Sequence, residues 1–237
     1  MIRSVRLARQ AVVAERRADG CLVLRSPDRL PDYPRRLTER LDHWAARAPE
    51  RVFLAQRGPG GWIELTYAQA RSRARRVAQA LIDRRLSAER PVAVLSGNDI
   101  EHALIQLGAL YAGIPYAPVS PAYSLLSKDF AQLKHVMRVT TPGLVYASDR
   151  KAFGSALEVA SGAEVLDRGD FAKLLVEPTT AVDEAHERVG PDTIAKFLFT
   201  SGSTGQPKAV INTQRMWCSN QAMIRHMFAF FEEEPPV

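Results

Sequence analysis

Six consecutive small residues, Thr200-Ser201-Gly202-Ser203-Thr204-Gly205, bring four hydroxyl groups and two glycines together, and Lys208 follows shortly after them. Glycine permits positive φ, so successive backbone N–H groups in such a segment can form an anion-binding concavity. The hydroxyls add hydrogen-bond donors, and the lysine adds a flexible positive charge that can reach outer phosphate oxygens. The composition therefore predicts a phosphate-binding loop. The alternative is a solvated, serine-rich surface loop.

Apolar runs flank this segment on both sides. Residues 194–199 predict a buried strand and residues 209–211 predict a second strand, so the arrangement is strand, loop, strand. A Walker A loop needs glycine, four residues, and then Gly-Lys-Ser/Thr ahead of a helix. Here Gly202 and Gly205 are only three positions apart and a strand follows, so the segment is not a Walker A loop.

The segment resembles the phosphate loop of the adenylate-forming (AMP-binding) superfamily, Thr-Ser-Gly-Ser/Thr-Thr-Gly-x-Pro-Lys-Gly, and departs from it at Ala209. Residues 65–67, Leu-Thr-Tyr, resemble the first core motif of that superfamily. Residues 110–118, Leu-Tyr-Ala-Gly-Ile-Pro-Tyr-Ala-Pro, resemble the second. Residues 120–125 and 210–216 resemble the feruloyl-CoA synthase branch of the acyl- and aryl-CoA synthetases in particular.

The resemblance implies an ATP-dependent ligase, in which a carboxylate attacks the α-phosphate of ATP to give an acyl-adenylate and pyrophosphate. Coenzyme A then displaces AMP, with Mg²⁺ assisting, and the feruloyl branch implies an aromatic, hydroxycinnamate-type carboxylate. The resemblance assigns the β- and γ-phosphates, and then the departing pyrophosphate, to the following residues: Thr200, Ser201, Gly202, Ser203, Thr204, Gly205 and Lys208.

Several motifs of the superfamily do not occur in the sequence, among them the adenine-binding Tyr-Gly-x-Thr-Glu, a ribose-binding aspartate and the adenylating lysine of a carboxyl-terminal domain. We therefore expect residues 1–36 to be an extension and residues 37–237 to be an incomplete AMP-binding large domain. We expect no complete catalytic site and no turnover by this chain alone, which an assay of pyrophosphate release from ferulate, ATP and CoA would test. A noncatalytic nucleotide- or acyl-binding module and a basic nucleic-acid-binding domain remain as alternatives.

Charge and composition bear on these alternatives. Residues 1–90 carry 20 arginines against 10 carboxylates, whereas residues 91–237 carry 12 basic against 16 acidic side chains. No RNP, zinc-finger or KH pattern accompanies the arginines, which indicates a solvated surface and no nucleic-acid partner.

No apolar run reaches the 18 residues of a membrane helix, and the amino terminus lacks the apolar segment of a secretory signal. With two cysteines and no metal-ligand cluster, we expect a cytoplasmic protein without a membrane partner.

Alternating strands and helices between residues 91 and 176 predict an α/β domain with a largely parallel sheet flanked by helices. The resemblance makes this the partial amino-terminal domain of the adenylate-forming fold. Expected helices are 37–47, 67–86 capped by Thr66, a helix capped by Asn98 with Glu101 completing a capping box, 127–139, 151–160, 171–176, and one from Thr213 to about 231. Expected strands are 21–24, 52–56, 62–66, 91–95, 116–119, 144–147 and 164–166.

A few polar or reactive side chains outside the loop are given structural roles. Residues 177–193 are predicted to be an exposed connection, with Asp183 on a solvated face. His102 and His135 are predicted to be packing or surface residues on their helices, and Cys218 is predicted to be a small buried hydrophobe.

Overall fold

The protein is described here by a computed structural model covering residues 5–8, 11–160, 162–200 and 206–232. The strands are β1 (Val13–Arg16), β2 (Leu22–Arg25), β3 (Val52–Gly58), β4 (Gly61–Thr66), β5 (Val92–Leu95), β6 (Tyr116–Val119), β7 (Leu144–Ala147), β8 (Glu164–Asp167), β9 (Ile194–Thr200) and β10 (Lys208–Thr213). The α-helices are α1 (Thr38–Arg47), α2 (Tyr67–Asp83), α3 (Ile100–Ala112), α4 (Ala122–Leu125), α5 (Ala131–Thr140), α6 (Arg150–Leu157), α7 (Thr180–Arg188) and α8 (Gln214–Met227). Short 3₁₀ helices cover Arg168–Leu174 and Ala229–Glu232.

A six-stranded sheet, in the order β10-β9-β6-β5-β7-β8, forms the centre of the fold. All neighbouring strands in it are parallel except β9 and β10, which pair antiparallel. Parallel neighbours need crossover connections, and helices supply them here. The predicted α/β domain with a largely parallel, helix-flanked sheet is confirmed.

The two faces of the sheet can be read from β5, in which all four residues are buried. Successive side chains of a strand point to opposite faces. Val92 and Val94 accordingly pack in a core with α2 and α3, whereas Ala93 and Leu95 pack in a second core with α5 and α6. A third core joins α2 and α3 to an outer layer formed by α1 and α7.

Two of the three predicted helix caps are confirmed. Thr66 and Gln69 form a reciprocal capping box at the start of α2, and the Thr213 hydroxyl accepts from the backbone of α8. The predicted cap at Asn98 is wrong, because Asp99 caps α3 by accepting from the His102 N–H at 2.7 Å. An aspartate caps as well as an asparagine. The Asp99 carboxylate also accepts a hydrogen bond from the Ser96 hydroxyl, so α3 begins one residue later than predicted.

The prediction of an exposed connection at residues 177–193 is wrong. Residues 180–188 form α7, which packs against α2 and α3 and buries Val182 and Ala185. Its acidic residues lie on the other side, where Asp183 accepts from Arg75 at 2.8 Å. The Arg75 guanidinium lowers the pKa of the Asp183 carboxyl below its usual value. The mostly polar sequence thus contains a narrow apolar stripe, and the stripe becomes apparent only from its packing against the neighbouring helices.

Smaller differences occur at helix ends and near the amino terminus. The helix predicted at 127–139 begins at Ala131, because the preceding residues form a turn in which Phe130 has a φ of 54° and its N–H bonds the Ser127 hydroxyl. The strand predicted at 21–24 is β2, and it pairs with β1, which the sequence did not predict. The β3–β4 hairpin is as expected. Among the described residues, no helix combines the length and apolarity needed to cross a membrane.

Candidate phosphate-binding site

The ends of the predicted phosphate loop lie directly opposite each other. β9 ends at Thr200 and β10 begins at Lys208, and these two residues are partners in the antiparallel register. The two strands predicted on either side of the loop are therefore confirmed, and they pair with each other. The loop residues Ser201, Gly202, Ser203, Thr204 and Gly205 lie outside the described residues, so their contacts with phosphate stay a prediction.

The two ends of the loop lie at the edge of the sheet where ligands bind in open α/β folds. β9 runs parallel to β6, with Lys196 opposite Tyr116, so Thr200 lies towards the carboxyl end of the parallel strands. That end of an open sheet is the usual ligand-binding edge. Thr200 and Lys208 are both exposed. A hydroxyl donor and an ammonium group are thus available to an anion at this edge.

The strands that carry the loop are less buried than the sequence indicates. Within β9, Ala195 is buried and most of the other side chains are only partly covered. On β10, Val210 and Ile211 remain 44% and 51% exposed. The reason is position, because β10 lies at the edge of the sheet and β9 is next to it.

A histidine far away in the sequence contacts the segment between the loop and β10. The Nε2 atom of His135, on α5, lies 2.9 Å from the carbonyl oxygen of Pro207. The Nδ1 atom of the same ring lies 3.0 Å from the guanidinium of Arg138. His135 is half-buried on its helix, in agreement with a packing or surface role, but its contact with Pro207 spans 72 residues and has no local sequence signal.

A lysine in β9 is held by packing. The Nζ atom of Lys196 lies 3.7 Å from the centroid of the Trp217 ring on α8, a cation–π contact. Burial lowers the pKa of Lys196 from its usual value. The Tyr116 ring, on the neighbouring strand, packs against the Trp217 ring in a T-shaped arrangement, with 6.4 Å between the ring centroids. Lys196 therefore belongs to the packing of α8 on the sheet, and Lys208 is the lysine that the structure leaves exposed beside the loop.

Other candidate chemical groups have structural roles. Cys218 is buried on α8, and burial raises the pKa of its thiol to about 11, which confirms the prediction of a small buried hydrophobe. Within the described part of the chain, no group of three His, Cys, Asp or Glu side chains is placed to hold a metal ion. The Thr200 hydroxyl and the Lys208 ammonium, at the two ends of the loop, are exposed hydrogen-bond donors.

The sequence profile of the AMP-binding enzyme family matches residues 41–235, most of the chain. The chain belongs to the AMP-binding enzyme family. It is 31% identical over 177 residues to the phosphinothricin tripeptide synthetase PhsB of Streptomyces viridochromogenes, a match covering 74% of this chain and 14% of that protein. It is also 30% identical over 186 residues to CymA of Salinispora arenicola, a probable non-canonical nonribosomal peptide synthetase, over 76% of this chain and 2% of that protein. The chain thus spans only a small part of these relatives.

Solved structures of other proteins share the fold at lower sequence identity. A fatty acyl-adenylate ligase from L. pneumophila, in complex with acyl adenylate and pyrophosphate, superposes with a TM-score of 0.63 at 18% identity, over 80% of this chain and 32% of that one. McyG A-PCP, complexed with phenylalanyl-adenylate, gives a TM-score of 0.64 at 21% identity, over 85% of this chain and 32% of that one. These structural similarities show the fold alone, and neither they nor the peptide synthetase relatives favour the feruloyl-CoA synthase branch.

Proposed function

We propose that the loop between β9 and β10 binds the polyphosphate of ATP, so that a carboxylate can be activated as an acyl-adenylate. The observation that carries the proposal is the pairing of Thr200 with Lys208 at the carboxyl edge of the parallel sheet. Support comes from the two structural relatives, which were solved with adenylates, one of them together with pyrophosphate. On this proposal the full site includes Ser201 to Gly205 as further phosphate donors.

The chemistry asked of these residues is electrostatic. Formation of an acyl-adenylate releases pyrophosphate, so negative charge builds on the bridging oxygen that leaves. Preorganised donors stabilise such charge, because they need not reorient as it develops. The Lys208 ammonium supplies a positive charge at the exit of the loop, and the Thr200 hydroxyl supplies a donor at its entrance. Mg²⁺, when bound with ATP, would neutralise further phosphate charge.

Two candidate functions differ in the carboxylate that is activated and in the thiol that then takes the acyl group. The sequence of residues 120–125 and 210–216 favours a feruloyl-CoA synthase-like ligase with an aromatic carboxylate and coenzyme A. The identity with the two peptide synthetases favours an adenylating segment of that type. Protection of the chain against thermal unfolding by ferulate plus coenzyme A, compared with protection by a panel of amino acids, distinguishes the two. The expectation that this chain does not turn over alone stays a prediction.

The phosphate role of the loop is tested by replacing its lysine. Lys208→Ala removes a charged hydrogen-bond donor, so we expect the dissociation constant for ATP to rise about 10-fold or more. Lys134→Ala is the matched control, because Lys134 is an exposed lysine on α5, outside the loop. Calorimetric titration with ATP, alongside thermal-shift measurements, gives both values. Equal affinities for the wild type and Lys208→Ala would show that the loop does not hold the nucleotide.

A further inference from the structure

The contact between His135 and Pro207 defines the state of the histidine ring. A proline carbonyl oxygen can only accept a hydrogen bond, so the His135 Nε2 atom, 2.9 Å away, must carry the proton. The Arg138 guanidinium can only donate, so the Nδ1 atom, 3.0 Å away, must be an unprotonated acceptor. Both neighbours therefore select the same form of the ring, the neutral tautomer with its proton on Nε2.

The ring projects from a rigid part of the fold. Leu133, Val136 and Met137 bury one side of α5 in the core beneath the sheet, so the helix cannot shift without disturbing that core. His135 lies beside these residues, and its ring contacts Pro207, which is 72 residues away in the sequence. The contact thus ties a loosely covered strand at the sheet edge to a firmly packed helix.

The position of Pro207 makes this contact consequential. Pro207 is buried and immediately precedes Lys208, the exposed first residue of β10. Because the proline ring fixes φ, the placement of its carbonyl restricts the path of the chain into the next residue. Holding the Pro207 carbonyl therefore also restricts where the Lys208 backbone can lie.

We propose that His135 is a positioning residue for the phosphate site: by donating from Nε2 to the Pro207 carbonyl, it fixes the amino end of β10 and with it Lys208. The nucleotide part of this inference rests on the proposed function. The anchoring itself does not, because it concerns only His135, Arg138 and the start of β10. Arg138 supports the anchoring by donating to Nδ1, which leaves Nε2 as the donor to the Pro207 carbonyl.

Three variants of the full chain test the inference. His135→Gln retains a side-chain N–H donor, His135→Leu removes it, and Lys134→Ala alters the neighbouring exposed position on the same helix. We expect hydrogen exchange in residues 208–213 to become faster in His135→Leu, and to stay near the wild-type rate in the other two. Nitrogen NMR of histidine-labelled wild-type chain should show His135 as the Nε2–H tautomer. Circular dichroism and melting curves establish that each variant folds.

Measurements of ATP binding then distinguish the positioning role of His135 from the proposed function of the loop. We expect the dissociation constant for ATP to rise about 3- to 10-fold in His135→Leu, the size of one lost hydrogen bond, and to recover in His135→Gln. Unchanged exchange in folded His135→Leu, or an Nδ1–H tautomer, overturns the anchoring. Faster exchange with unchanged ATP affinity overturns the positioning role. Failure of the wild type to bind ATP overturns the proposed function, and exchange and tautomer alone then decide the anchoring.

Discussion

At the scale of single residues, the sequence does not indicate the buried surroundings of His186. It lies buried on α7 with its Nε2 atom 2.7 Å from the Thr38 hydroxyl and its ring against Tyr111. Arg36 donates to its backbone carbonyl. Burial, and then the charge of Arg36, lower the pKa of His186 below its usual value of 6.5. Arg75, Asp42 and Glu187 are the other charged groups that act on it.

The lowered pKa predicts a dependence of stability on pH. Between the unfolded pKa of about 6.5 and the lower folded value, the unfolded chain binds more protons. The contribution of His186 is therefore complete above the unfolded pKa and is lost as the pH falls through the folded pKa. In urea unfolding at pH 8 and pH 5.5, we expect the wild type to lose more stability than His186→Gln, which cannot titrate. An equal loss in both proteins would contradict this account.

At the scale of elements, α2 and α3 pack closely against each other. A Cβ atom placed on Gly108 of α3 would lie 2.6 Å from Val77 Cγ1 and 3.0 Å from the Ala74 carbonyl oxygen on α2. The glycine therefore lets the two helices approach. Gly113 ends α3 for a different reason, because its φ of 69° is left-handed, a conformation that favours glycine.

Adding one methyl group at Gly108 tests the close approach. We expect Gly108→Ala to reduce the free energy of unfolding by about 1–3 kcal/mol, since the added atom overpacks the α2–α3 contact. The matched control is Gly154→Ala on α6, where a Cβ atom would meet nothing within 4 Å. Better helix propensity should stabilise that variant by up to about 1 kcal/mol. Urea unfolding measures both, and a neutral Gly108→Ala would mean that the helices can separate slightly at no cost.

At the scale of the whole molecule, the uneven charge of the sequence is partly balanced in three dimensions. Arginines from the basic first 90 residues pair with carboxylates from the acidic second part of the chain. The pairs include Arg75–Asp183 at 2.8 Å, Arg84–Glu164 at 2.8 Å and Arg36–Glu187 at 3.0 Å. Because these arginines pair with carboxylates, fewer arginines are available to bind the phosphates of a nucleic acid.

Retention on a DNA column tests whether this pairing matters. Binding to nucleic acid through Lys and Arg contacts falls steeply with salt. We expect the chain not to be retained at about 0.15 M salt, where charges are screened beyond about 8 Å. A double variant, Glu164→Gln with Asp183→Asn, frees Arg84 and Arg75 and should elute at higher salt than the wild type. Retention of the wild type at this salt would favour a nucleic-acid role instead.

The sequence by itself determined those features whose physical causes are local. Thr66 and Thr213 cap helices because their hydroxyls reach N–H groups within three residues, and Gly113 ends a helix through its own backbone freedom. The continuous apolar run of β5 showed that it is buried on both faces. The composition of residues 200–208 indicated a loop between two strands and, by resemblance, the family.

The tertiary structure alone decided the features that depend on residues distant in the chain. The order of strands placed β9 beside β6 and brought both ends of the loop to the carboxyl edge of the sheet. Packing against α2 and α3 turned the polar residues 180–188 into a helix. The meeting of His135 with Pro207 is of the same kind, because a contact across 72 residues depends on where the core holds α5 and leaves no local pattern in the sequence.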